Sequence, residues 1–216
     1  ARRRDRRRAG HGVRALHSPV NVAGGPGAIS AGLRELGVES ILLVFNERPF
    51  QRGFDVNLEL RDTSRLSSVP FNLPKQLRAL RWAARNFDVF HFHAGLTLAP
   101  QRITLPLLKR KRKGIVFQSW GSDLRRRNAS EVSYLRSAGA VIVGSYLTRR
   151  LAPRGPWREY DVVPPAIVLD DWQPSPTEPG EMLRVAHAPS KRAVKGTQAV
   201  LDAVESLRKR GAPIEL

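Results

Sequence analysis

The 216-residue sequence contains no cysteine. That removes disulfides, thiolate metal sites and cysteine nucleophiles, and it suits a reducing compartment. Acidic residues are few: 19 Asp and Glu stand against 37 Lys and Arg, for a formal net charge of +18. Such a balance draws attention to an acidic partner, whether nucleic acid, anionic lipid or a phosphorylated substrate, and it is equally what an arginine-rich composition does when it solvates a surface. Any apolar run near the roughly 20 residues that span a bilayer is missing; runs such as "ESILLVF" and "AGAVIVG" are strand-sized. The start, "ARRRDRRRAGHGV", is charged like the head of an export signal, but no apolar segment follows it. A cytoplasmic protein is expected, with any membrane contact peripheral to the inner face. Phosphate-loop, nucleophile-elbow and H-E-x-x-H patterns are also absent, so hydrolase readings have no support.

What is present is a globular composition, 41% hydrophobic, with alternating strand and helix signals. After a basic leader (1–10), "GVRALHSPV" reads as a strand, "NVAGGPGAIS" as a glycine-rich turn and "AISAGLRELG" as an amphipathic helix closed by Gly37. Further strand-like runs follow at "VESILLVF", "DVFHFHAG", "GIVFQSWGS", "GAVIVGS" and "YDVVPPA", with helix-like segments "PKQLRALRWAARNF" and "TLPLLKRKRK" between them. Apolar runs without strict alternation suit strands buried on both faces, so the pattern predicts a doubly wound, Rossmann-like parallel α/β domain over 11–169. The proline-rich stretch 170–181 reads as a linker. Residues 182–216 read as the first βαβ part of a second, truncated Rossmann-like domain, too short to bury a core alone.

Three places carry chemistry. The turn with Gly24, Gly25 and Gly27 follows the first strand and opens a helix, where glycines let a phosphate or sugar approach backbone amides; a tight turn with no ligand would look the same. "FHFHAG" puts His91 and His93 on one face at a strand end, bordering the crevice where parallel α/β sheets bind ligands. No third ligand stands at a recognisable spacing, so metal is set aside, leaving acid–base or polar roles against ordinary structural histidines. At the next strand end, Ser119, Gly121, Ser122 and Asp123 offer hydrogen bonds to the same crevice, or Asp123 caps a following helix.

"NVAGGPG", "LRELGV", "DVFHFH", "FQSWGSDLR", "AVIVGS", "VVPPAIVLDDWQP" and "RVAHAPSKRAVKGTQAVLDAVESL" together resemble the nucleotide-sugar-dependent glycosyltransferases of the GT-B fold, family 4. The resemblance implies a metal-independent enzyme without cofactor, moving a sugar with retention from a nucleoside-diphosphate sugar to a saccharide or lipid-linked acceptor. It implies that Arg192, Lys195 and Gly196 bind the donor diphosphate and that His93 is the cleft histidine. Gly24, Gly25 and Gly27 would form the cleft loop, with Asp123, Ser122 and His91 near the acceptor. Arg192 stands only three residues before Lys195, closer than in many members, so Ser190 and Lys191 compete for its role. The family's acidic donor-site pair would lie beyond Leu216, so little transferase activity is expected of this chain alone. Two other readings are a basic nucleic-acid binder, for which no reading module is present, and an anionic-membrane binder. The second rests on Lys75, Arg78, Arg81 and Arg85 around Leu77, Leu80, Trp82 and Ala84; the alternative there packs Leu77, Leu80 and Ala84 onto the sheet.

Overall fold

The computed structural model describes residues 12–47, 53–121, 123–125, 127–157, 159–169, 180, 182–189 and 192–216. The leader 1–10, most of the linker 170–181 and Ser122, Ser190 and Lys191 lie outside the described residues. The chain divides into two compact units, Ala1–Val168 and Leu169–Leu216.

The first unit is one seven-stranded sheet. Its strands are β1 (Arg14–Ser18), β2 (Glu39–Val44), β3 (Val56–Asn57), β4 (Val89–His93), β5 (Gly114–Ser119), β6 (Ala140–Val143) and β7 (Tyr160–Val162). They lie in the order β3-β2-β1-β4-β5-β6-β7, with every pair parallel. The helices are α1 (Gly25–Glu35), α2 (Val69–Asn86), α3 (Gln101–Arg110) and α4 (Tyr146–Leu151). This is the expected doubly wound Rossmann-like architecture. The chain leaves β1 toward β2 and leaves β4 toward β5, so the order of strands reverses between β1 and β4. Their carboxyl ends therefore border the switch-point crevice.

The central strands are apolar because both faces are covered. Leu16, Phe90, Phe92 and Phe117 are at most 2% exposed, and Phe92 lies beside Phe117 with ring centroids 5.4 Å apart. Alternation then commits β4: with Phe90 and Phe92 on the aromatic face, His91 and His93 must occupy the other.

The helix expected over "PKQLRALRWAARNF" starts more than a turn earlier, at Val69, with Pro70 in its first turn, where a missing amide donor costs little, and Pro74 inside the helix. Its buried stripe is Ala79, Leu80, Ala83 and Ala84, whereas Leu77 is 36% exposed. The sheet-packing alternative is corrected at that residue: small alanines let the helix lie close, and Leu77 falls outside the contact stripe. Two elements were not foreseen. β3 is two residues long and pairs only Leu43 and Val44, too short for any periodicity. α4 is a six-residue helix capped by Ser145, whose Oγ accepts from the Thr148 amide at 3.1 Å. Ser145→Ala should cost about 1 kcal/mol, read as a lowered urea midpoint with an unchanged slope. No described helix is long and apolar enough to cross a membrane.

The second unit holds β8 (Leu183–Arg184), α5 (Thr197–Lys209) and β9 (Ile214–Glu215). β8 and β9 pair in parallel, so α5 is a crossover helix. Val204 and Ile214 are its buried apolar residues.

Candidate functional site

The carboxyl ends of β1, β4 and β5 meet at the crevice. Register sets His17 beside His91, and His93 beside Gln118, so all four share the face opposite the phenylalanines. His17 and His93 are wholly buried, His91 is 8% exposed and Gln118 is 2% exposed. The rings crowd together: His91 and His93 have centroids 4.4 Å apart, His17 and His91 4.9 Å, and His17 and His93 5.6 Å. His17 Nδ1 and His93 Nε2 are 3.4 Å apart. One ring nitrogen from each histidine lies within 4.8 Å of the others.

Burial makes these imidazoles reluctant to charge. Loss of water lowers His17 to about 4, with the Arg34 charge acting the same way and Asp55 opposing it. Burial, then repulsion from His17, lowers His91 to about 3, with Gln118 pulling weakly upward. His93 falls well below its ordinary value through burial, reinforced by His91 and His17. All three are neutral near pH 7. Several of their polar atoms have no hydrogen-bond partner: His17 Nε2, His91 Nε2, His93 Nδ1 and, next to them in the sheet, Gln118 Oε1.

Trp120, immediately after β5, roofs this group, its ring centroid 6.0 Å from that of His93. The glycine turn meets the same tryptophan. Gly24 is left-handed (φ 75°) and caps α1. Gly25 lies so close to Trp120 that an added Cβ would fall inside the indole. β1 and β5 flank β4, so the turn after one and the loop after the other close over its end. The first amides of α1 are not all open to a ligand, since Gly27 N donates to Asn21 Oδ1 at 3.1 Å.

Asp123 faces back into the same loop. Its Oδ1 accepts from Ser119 Oγ at 2.8 Å and from the Trp120 amide at 3.0 Å, while Oδ2 is buried without a hydrogen-bond partner. Among the described residues no helix begins directly after Asp123, so the capping alternative is replaced by a loop clamp that fixes Trp120. Ser119 Oγ also accepts from the Gly121 amide at 3.1 Å. Beside this loop a cavity of about 200 Å³ is lined by Gln118, Ser119, Trp120, Gly144, Ser145, Thr148 and Pro165. Burial raises the nearby Tyr134 phenol to about 12, with the Asp123 charge adding to the effect, so it stays a neutral wall.

In the second unit, Arg192, Lys195 and Gly196 are exposed. Gly196 adopts φ 69° as the N-cap of α5, and the Lys195 amide donates to Arg192 O at 3.3 Å. His187 Nε2 and Thr197 Oγ1 lie 2.9 Å apart, tying the β8 exit to the start of α5.

The predicted residues His91, His93, Gly24, Gly25 and Asp123 thus fall at or beyond the carboxyl ends of the central strands. His17 and Trp120 were missed. "ALHSP" did hold a signal, a polar imidazole within an apolar strand, but nothing local says which neighbour it meets. Among the described residues, His17, His91 and His93 are the group with metal-ligand proximity. His17 is the third ligand type that the local spacing did not reveal.

No protein-family model and no curated protein matches the sequence. Among solved structures, UDP-N-acetylglucosamine 2-epimerase from Rickettsia bellii is similar at 12% identity and TM-score 0.47, over 65% of this chain and 41% of that one. LpCGTa in complex with UDP is similar at 10% identity and TM-score 0.48, over 94% of this chain and 65% of that one. The chain spans less than two thirds of the length of either.

Proposed function

We propose that this chain belongs to a retaining, nucleotide-sugar-dependent glycosyltransferase of the GT-B type, contributing its acceptor-side domain and the opening of its donor-side domain. One observation carries the reading: the glycine turn, the histidine strand and the "SWGSD" loop, far apart in sequence, meet at the switch point, with Gly25 against Trp120 and Trp120 over His93. Convergence of a glycine turn and polar groups there is what a crevice for a sugar and its phosphates requires.

In this reading Arg192 and Lys195 neutralise the departing diphosphate. Negative charge gathers on it as the bond from the sugar's anomeric carbon to the phosphate oxygen breaks and the acceptor oxygen bonds to that carbon, so fixed cations interact more strongly in the transition state than in the ground state. The role of His93 carries a condition: its ring is enclosed, so contact with an acceptor requires the Trp120 side chain to turn aside. The acceptor is a saccharide or lipid-linked saccharide, and the exposed row Lys75, Arg78, Arg81 and Arg85 on α2 suits enzymes that work beside an anionic membrane face.

The test is calorimetric titration of the full-length protein, with the donor-side domain completed beyond Leu216, against UDP, GDP and ADP and their sugar conjugates. One base should bind, and Lys195→Ala should weaken that binding about tenfold to a hundredfold, the worth of a charge-assisted hydrogen bond, without lowering the melting temperature, since Lys195 is exposed. Binding unaffected by Lys195→Ala, or a preference for DNA over every nucleotide, would sink the reading.

A further inference from the structure

We propose that His17, His91 and His93 form a buried three-histidine site for a divalent transition metal of the zinc type, pinning β1 to β4 at the switch point. The inference stands on the sheet alone and holds whether or not the chain serves a glycosyltransferase.

Distances argue first. The 3.4 Å between His17 Nδ1 and His93 Nε2 is longer than the 2.7–3.2 Å of an ordinary hydrogen bond. It matches the edge of a tetrahedron around zinc: with Zn–N near 2.0–2.1 Å, ligand nitrogens stand about 3.3–3.4 Å apart. One ring nitrogen from each of the three histidines lies within 4.8 Å of the other two, close enough for rotation of the rings about their χ angles to bring all three onto one ion.

Chemistry argues second. Three histidines side by side on the buried face of a parallel sheet are poor packing material, each presenting polar nitrogens where apolar side chains would cost nothing. His91 Nε2 has no hydrogen-bond partner, nor does Gln118 Oε1 beside His93, and buried polar atoms left so are exceptional. A metal turns that liability into bonding, and imidazole nitrogen suits zinc, copper, nickel and iron(II). Three protein nitrogens leave a fourth position, which the Gln118 carboxamide oxygen, buried without a partner beside His93, or a water held by it would fill.

The experiment is titration of the chelator-treated protein with Co²⁺, followed by displacement with Zn²⁺. One equivalent per chain should bind, with the intense visible absorption of a four-coordinate ion, and His91→Gln should weaken it by at least about a hundredfold. His187→Gln, which alters a histidine outside the cluster, should change nothing. Binding that survives His91→Gln, or that His187→Gln abolishes, overturns the proposal, as does the absence of stoichiometric binding. Should His91→Gln fail to fold, X-ray absorption of the Co²⁺-loaded wild-type protein decides: three imidazoles in the first shell support the site, and two or fewer overturn it.

Discussion

Lowering the pH from 7 to 5 should strip the metal-free protein of about 6 kcal/mol of stability, about 2 for each buried histidine. In the unfolded chain an imidazole titrates near 6.5, whereas folding lowers His17 to about 4, His91 to about 3 and His93 well below the ordinary value. Between 6.5 and those values the unfolded chain binds more protons than the folded one, so stability falls as pH falls. Well above 6.5 all three are neutral in both states and the dependence fades. Against a total stability of roughly 5–15 kcal/mol this is a large share, equivalent to about 12–24 °C in melting temperature for a chain of this size. Asp62, lowered by its hydrogen bonds from Ser64, and Glu131, lowered by the Asn128 amide and Arg127, titrate below that window and leave it to the histidines. Thermal denaturation at pH 5, 6 and 7 checks this. His17→Asn should flatten the slope by about a third, because it removes one of the three imidazoles that bind a proton only in the unfolded chain. Equal melting temperatures at pH 5 and 7 would show that the cluster is already protonated or open to water.

Replacing Gly25 with alanine should destabilise the fold by about 1–3 kcal/mol, the usual cost of overpacking, and the sign should reverse when Trp120 is also replaced. The backbone at Gly25 is ordinary right-handed helix (φ −59°), so nothing in its conformation demands glycine. In the first turn of α1, alanine would normally stabilise by about 0.5–1 kcal/mol. Only the indole forbids it, because the new methyl would occupy the ring's place. Gly25→Ala should lower the urea midpoint in wild type and raise it or leave it unchanged in Trp120→Ala, a double-mutant cycle with coupling of about 2 kcal/mol. Additive stabilities would mean that the turn and the "SWGSD" loop do not touch.

Both predictions rest on contacts that no local pattern displays. What the sequence determined by itself was periodic: strands buried on both faces announced a parallel α/β sheet, and the two-residue alternation in "DVFHFH" put His91 and His93 on one face. Local stereochemistry is enough for that, since side chains two apart in a strand have no other option. Register decided the rest. His17 lies 76 residues before His93, and it joins the pair only because β1 slides against β4 until Leu16 meets Phe90 and His17 meets His91. The aromatic face chooses that register, and a slip of one residue would turn His17 onto the phenylalanine side of the sheet. Trp120 reached the glycine turn by the same route, its loop clamped by Asp123 and its strand set two places from β1. Asp123 therefore served the loop where sequence alone also allowed a helix cap, and β3, only two residues long, existed only because Leu43 and Val44 were there to pair with it. Local pattern selects the faces of strands; which strands lie side by side, and at what offset, is chosen by the packing of the whole sheet, and the candidate site is made of those offsets.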